Sequence, residues 1–139
     1  MPSTRLTDCA DPLAVAWVDL LALYRETHPG HDLFLTCTYR SAEEQWELYK
    51  KGRMFRDGAW IVDTNPQTSI VTNCDGRAKK SKHNSQPSTA LDFCVVIGGK
   101  VSWDAREYAP VGELARRQGL VWGGDWTLKD FPHLELKEG

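Results

Sequence analysis

Residues 89–99 read TALDFCVVIGG, and the fold follows from how this stretch is taken. It is a run of apolar, β-branched and aromatic residues, which reads as a central strand. Gly98-Gly99 then marks a turn, so that KVSWD (residues 100–104) becomes its hairpin partner. One residue breaks the pattern. An ionised Asp92 inside such a strand costs several kcal/mol unless a partner or a metal compensates it.

Working outward, PLAVAWVDLLALY carries Leu13, Trp17, Leu20, Leu21 and Tyr24 on a helical stripe. Asp11 is the expected N-cap, Pro12 the first helical residue, and His28-Pro29-Gly30 the stop. LFLTCTYR (33–40) reads as a strand with Phe34, Thr36, Thr38 and Arg40 on one face and Leu35, Cys37 and Tyr39 on the other. Ser41 and Glu44 form a capping box for a helix bearing Gln45, Trp46, Leu48 and Tyr49, closed by Gly52. Residues 53–80 look irregular, with WIV and SIVTN as short strand candidates. Asp104 and Glu107 cap a helix through Arg117, which Pro110 must kink or begin, and Gly119 ends it. LVWGG and HLELK are the last strand candidates. This order lacks regular βαβ alternation and predicts an α+β fold, with helices packed on a mostly antiparallel sheet.

At 139 residues and 41% hydrophobic composition, the chain is expected to be one domain over residues 1–139 with no wall-binding module. A net charge of −2 with mixed signs argues against nucleic-acid binding, although GRAKKSK (76–82) is a basic cluster. It reads as a solvated loop, or as an attractor of an anionic polymer near a site. The four cysteines lack CxxC spacing and suit reduced core thiols, Cys94 among them. The first apolar stretch is too short and too interrupted to be a signal peptide or membrane anchor, so cytoplasmic synthesis without membrane insertion is expected.

His83 is the nearest candidate partner for Asp92, because the polar NSQPS turn can fold the chain back between them. Imidazole and carboxylate together suit Zn²⁺ if a third ligand completes a site with one open position. His28 and His31 flank an exposed-looking turn and read as surface residues. His133 opens the HLELK strand candidate and is the better third ligand. Asp130 lies three residues before it, on the opposite face of a regular strand, unless a bend at Pro132 brings the two together. Bent in this way, Asp130 could act as a general base, and Arg40 could stabilise an oxyanion. A structural His83–Asp92 pair without any metal stays open.

Three ordered blocks, TYRSAEEQWELYKKGR, SKHNSQPSTALD and GLVWGGDWTLKDFPHLEL, resemble the zinc peptidases of the D-Ala-D-Ala carboxypeptidase and L-alanyl-D-glutamate endopeptidase family, which includes bacteriophage endolysins. The resemblance implies one Zn²⁺ on His83, Asp92 and His133, with Asp130 as base, Arg40 steadying the tetrahedral intermediate, and Ser81 and Gln45 near the substrate. It also implies the small fold shared with hedgehog-type domains. His83 and Asp92 are nine positions apart, more than in many members, and the turn is similar to a phage-associated H-N-x-x-P-S-x-A-x-D pattern. The implied protein is a monomeric endolysin, released by a holin, that cuts the L-alanyl-D-glutamate bond of peptidoglycan stem peptides. A D-Ala-D-Ala carboxypeptidase or dipeptidase, and a non-catalytic zinc-containing binding domain, are the alternatives.

Overall fold

The computed structural model describes residues 2–63 and 70–138. Strands β1 (His31–Cys37), β4 (Ala90–Ile97), β5 (Lys100–Ser102), β6 (Leu120–Trp122) and β7 (His133–Leu136) form one antiparallel sheet. Its order is β1-β4-β7-β6, and β5 pairs with the end of β4 beyond the reach of β7. Helices α1 (Asp11–Thr27) and α3 (Ala105–Arg117) share a core with Leu91, Phe93 and Val95 of β4. The expected α+β architecture, with β4 as the central strand, is what the chain adopts.

Period-two alternation puts Leu91, Phe93 and Val95 on the helix-facing side of β4 and Asp92 and Cys94 on the other. The aspartate therefore leaves the apolar core undisturbed and serves a second face, over which α2 (Ala42–Lys50) and the segment of residues 71–83 contribute to the cleft. α2 begins as its sequence requires. The Ser41 hydroxyl accepts from Glu44 N at 3.1 Å, and a Glu44 carboxylate oxygen accepts from Ser41 N at 2.9 Å.

Several details differ from the sequence reading. Helix α1 starts at Asp11 itself, with Ala10 as an N-cap that has no side-chain bond, because Ala10 N donates to Ser88 O and fixes the entry one residue early. His28 and His31 are half-buried: His28 stacks on Tyr24 at 4.5 Å, and His31 Nδ1 lies 3.1 Å from the Tyr24 hydroxyl. β1 ends at Cys37, and a bulge at Thr36 breaks its alternation. SIVTN forms no strand over its described residues 70–73, and Ser69 lies outside them. The partner of WIV is instead RMFR, as β2 (Arg53–Arg56) and β3 (Ala59–Val62) form a hairpin. Its turn, Asp57-Gly58, has φ of 52° and 81° and carries the D-G signal of a tight hairpin. α3 runs continuously through Pro110 from an Asp104 cap.

Gly112 shows how closely α3 meets β6. A Cβ there would lie 2.3 Å from the buried Trp122 ring. Gly→Ala inside a helix ordinarily stabilises by about 1 kcal/mol, but here overpacking is expected to reverse the sign. Gly112→Ala should destabilise by about 1–3 kcal/mol in urea unfolding; a higher midpoint would contradict this packing.

Candidate active site

The sheet register assembles the site. Cys37 on β1 and His133 on β7 are both the direct cross-strand neighbours of Asp92. Leu35 pairs with Phe93, so uninterrupted alternation would put Thr36 opposite Asp92; the bulge skips it and presents Cys37 instead. Bulges re-aim side chains in this way, and this one moves Cys37 off the core-facing row of Leu33 and Leu35.

His83 arrives from a separate segment. It sits in a single 3₁₀ turn, Lys82–Asn84, capped by the Ser81 hydroxyl at 3.3 Å from His83 N. Arg40 N donates to His83 O at 2.9 Å, and Asn84 Nδ2 donates to Arg40 O at 2.8 Å. Ser88 Oγ donates to Thr38 O at 2.8 Å. The NSQPS turn is thus fastened to residues 38–40 at both ends, which brings His83 over the sheet.

There His83 Nε2 lies 3.3 Å and His133 Nδ1 3.1 Å from the same Asp92 oxygen, with the two rings 5.2 Å apart. Each outer ring nitrogen is anchored, His83 Nδ1 by Thr38 O at 2.9 Å and His133 Nε2 by Glu135 Oε1 at 2.9 Å. This leaves one nitrogen of each ring turned toward Asp92. His83 Nε2 is buried and has no hydrogen-bond partner. Two oriented imidazoles, a carboxylate between them and an unsatisfied buried nitrogen are what a tetrahedral divalent ion requires. The donor chemistry therefore suits a metal, and among the described residues two groups lie closely enough to share an ion, Cys37 with His83 and Asp92, and Asp92 with Asp130 and His133, so that Asp92 is common to both.

Asp130 is half-exposed, and its Oδ2 is 3.8 Å from His133 Nδ1. The bend expected at Pro132 is present: Asp130 N donates to Gly123 O at 2.9 Å and His133 N to Asp130 O at 3.3 Å. A Cβ on Gly123 would lie 2.2 Å from Asp130 O, so only glycine permits this approach. Arg40 lies past the end of β1, with Nη2 at 3.7 Å from Asp92 Oδ2 and Nη1 donating to Gln45 Oε1 at 2.9 Å.

Gln45 is completely buried, and its amide nitrogen donates to Thr72 Oγ1 and Cys74 O. Its place is behind Arg40, not on the cleft wall. Ser81 does line the cleft, a volume of about 520 Å³ that also contains Arg40, Lys80, His83, Asp92, Trp126, Asp130 and His133. Sequence reasoning assigned no role to Glu135 or Trp126. Glu135 had a signal, since it is a carboxylate two residues from His133 on the same strand face; it also pairs with Lys82. Trp126, whose ring is 5.0 Å from that of His133, stood inside the quoted WGGDW block. Cys94 is buried on the Asp92 face and, among the described residues, joins no metal-capable group.

The D-alanyl-D-alanine carboxypeptidase family model matches residues 75–136. The chain is 35% identical over 118 residues to the peptidoglycan L-alanyl-D-glutamate endopeptidase CwlK of Bacillus subtilis, covering 77% of this chain. The resemblance to the peptidase M15 family is borne out. The chain spans 62% of the length of CwlK. The crystal structure of the Serratia marcescens L-Ala D-Glu endopeptidase ChiX, 23% identical, superposes with a TM-score of 0.60 over 99% of this chain and 90% of that one, so the two share an α+β fold.

The cluster demands positive charge. Burial opposes the charged imidazole of His83, but Asp92 and Cys37 outweigh it and push its pKa up to about 10. His133 is likewise raised against its burial, by Asp92 and Glu135. Burial would raise Asp92, yet the two imidazoles hold it well below the carboxylate range. Burial and the Asp92 charge raise Asp130.

For metal-free protein the signs follow from linkage. The raised imidazole stabilises fully below its unfolded pKa of about 6.5 and loses that contribution as pH climbs toward about 10. The lowered Asp92 contributes above about pH 4 and fails below it. In EDTA, the urea midpoint is expected to fall between pH 6.5 and 9.5, and added metal should remove most of that decline; a flat metal-free profile would contradict the assignment.

Proposed function

We propose that the chain is a zinc-dependent peptidoglycan hydrolase that cleaves the L-alanyl-D-glutamate bond of stem peptides. The observation that carries this reading is the pair of anchored imidazoles facing Asp92 in an open cleft, with Asp130 beside them. Its support is the similarity to CwlK, named for that activity. His83 Nε2, Asp92 and His133 Nδ1 would hold the ion. Bound there, zinc would supply a Lewis acid that makes water acidic near pH 7 and polarises a carbonyl.

The remaining work falls to side chains. Asp130, half-exposed and with a raised pKa, takes a proton from the attacking water and returns it to the leaving amine. Arg40, held by Gln45, places its guanidinium where the scissile carbonyl becomes an oxyanion. Trp126 and Ser81 line the walls that position the peptide.

The carboxypeptidase reading draws on the matching family model's description. Against it, the cleft continues past Asp130 and Trp126 into a second cavity bounded by Ile70, Asn73, Lys79, Leu128 and Lys129, which leaves room for substrate on both sides of the cut bond. The longer His83–Asp92 turn favours a phage-type enzyme, made in the cytoplasm, released through a holin and acting on the wall as a monomer.

Purified peptidoglycan digested by the zinc-loaded chain and read by mass spectrometry is expected to show new D-glutamate amino termini. Free D-alanine or D-Ala-D-Ala without them would move the assignment to the carboxypeptidase. Asp130→Ala should retain the metal and lose about 10²–10⁴-fold in rate, whereas His83→Ala and His133→Ala should lose metal and activity together. Full activity in Asp130→Ala with zinc bound would remove Asp130 as the base.

A further inference from the structure

The basic cluster GRAKKSK is a solvent-exposed turn held in place by its own hydrogen bonds. Asp75 Oδ1 accepts from Arg77 N at 2.8 Å and Lys79 N at 3.0 Å, and Gly76 N donates to Lys79 O at 3.0 Å. Gly76, at φ 79°, lies so close to α2 that a Cβ would meet Ala42 O at 2.7 Å and Gln45 Cβ at 2.9 Å. The Arg77 guanidinium stacks over Trp46 of the same helix at 4.0 Å. The turn is therefore locked onto the helix whose Gln45 holds Arg40, and its position relative to the site is set.

What it presents is unspent positive charge. Lys80 lines the cleft that contains Arg40, His83, Asp92 and Asp130, and Lys79 lines the adjoining cavity, which shares Val71, Thr72, Trp126 and Asp130 with the first. Neighbouring lysines are already occupied. Lys82 pairs with Glu135 and Glu138, and Lys129 donates to Gly124 O at 3.0 Å. Lys79 and Lys80 make no ion pair among the described residues. Two cations without an ion-pair partner among the described residues thus stand on a fastened turn at the groove wall.

We propose that Lys79 and Lys80 recognise the free α-carboxylate of the D-glutamate residue and so select stem peptides in which that group is acidic over those in which it is an amide. This rests on the L-alanyl-D-glutamate reading above, in which D-glutamate is joined onward through its γ-carboxyl and leaves its α-carboxyl beside the cut bond. A carboxamide has the same shape and no charge, so the lysines distinguish the two by electrostatics alone. The effect is modest, because the lysines are exposed: about fivefold at low salt, and less as ionic strength rises.

The test uses two synthetic peptides, L-Ala-γ-D-Glu-L-Lys and its α-carboxamide, with the zinc-loaded full chain. Both kcat/KM and calorimetric Kd are measured at low and high salt. The wild type is expected to favour the acid about fivefold in each quantity, mainly through KM, with the preference shrinking in salt. In Lys79→Gln/Lys80→Gln the acid-to-amide ratio is expected to fall to about one. A ratio near one in the wild type, or an unchanged ratio in the double variant, overturns the proposal. The two readings fail separately: cleavage of both peptides at equal rates sinks the lysine receptor alone, whereas a salt-sensitive, lysine-dependent Kd ratio with neither peptide cut sinks the L-alanyl-D-glutamate reading and leaves the receptor standing.

Discussion

Asp92 carries a negative charge on the central strand, its side chain only 23% exposed, and the surrounding structure is arranged to make that tolerable. Left alone, such a carboxylate would cost several kcal/mol. It is answered from three directions: His133 across the β4–β7 register, His83 from the fastened 3₁₀ turn, and Arg40 from the loop after β1. Each of these is held from behind, by Glu135, Thr38 and Gln45 respectively. The supporting set in turn reaches Lys82, Thr72 and Cys74, so that one buried charge organises side chains from residue 38 to residue 138.

The sheet separates stability from chemistry by its two faces. Leu91, Phe93 and Val95 pack with Leu13, Trp17, Leu20 and Val111 from the two helices and contribute burial, while Asp92 on the intervening position faces the cleft. A one-residue slip of β4 would exchange these sets, driving the carboxylate into the apolar core and the apolar side chains into the cleft. Register is thus fixed by two penalties of opposite kind, and the same strand can support both the core and a polar site. Among the described residues the bulge at Thr36 is where a neighbouring strand departs from the pattern, and it brings a thiol to the row occupied by Asp92 and His133.

Much of this was readable because the signals are local. The helical stripe of α1, the Ser41/Glu44 box, the strand–turn–strand of residues 89–102 and the anomalous aspartate each follow from a few adjacent residues. The convergence of His83 and His133 on Asp92 was suggested by chemistry and by family blocks, and the structure places one nitrogen of each ring 3.3 and 3.1 Å from the same Asp92 oxygen. What could not be read depends on partners distant in sequence. Nothing near Thr36 announces a bulge, because the bulge serves the register with β4. Burial of Gln45 depends on Thr72 and Cys74, nearly thirty residues away. The Asp57-Gly58 hairpin is a different case, since its turn signal was present and its flanking runs are too polar and too short to stand out.

The two carboxylates nearest the imidazoles differ in surroundings rather than in kind, and this separates their chemistry. Asp92 touches both rings and faces Arg40, so its charged form is favoured and its pKa falls despite burial. Asp130 stands at the edge, in contact range of only one imidazole, and the fixed negative charge of Asp92 adds to burial in raising its pKa. Each therefore helps to define the other. Because Asp92 remains ionised, Asp130 holds a proton more readily, and a group that both accepts and releases a proton must have its pKa drawn toward the working range. Exchanging the two environments would protonate Asp92 more readily and leave Asp130 a weaker acceptor, the reverse of the roles proposed for them. The division of labour in the proposed reaction therefore follows from where the sheet register and the Gly123–Asp130 contact place each carboxylate.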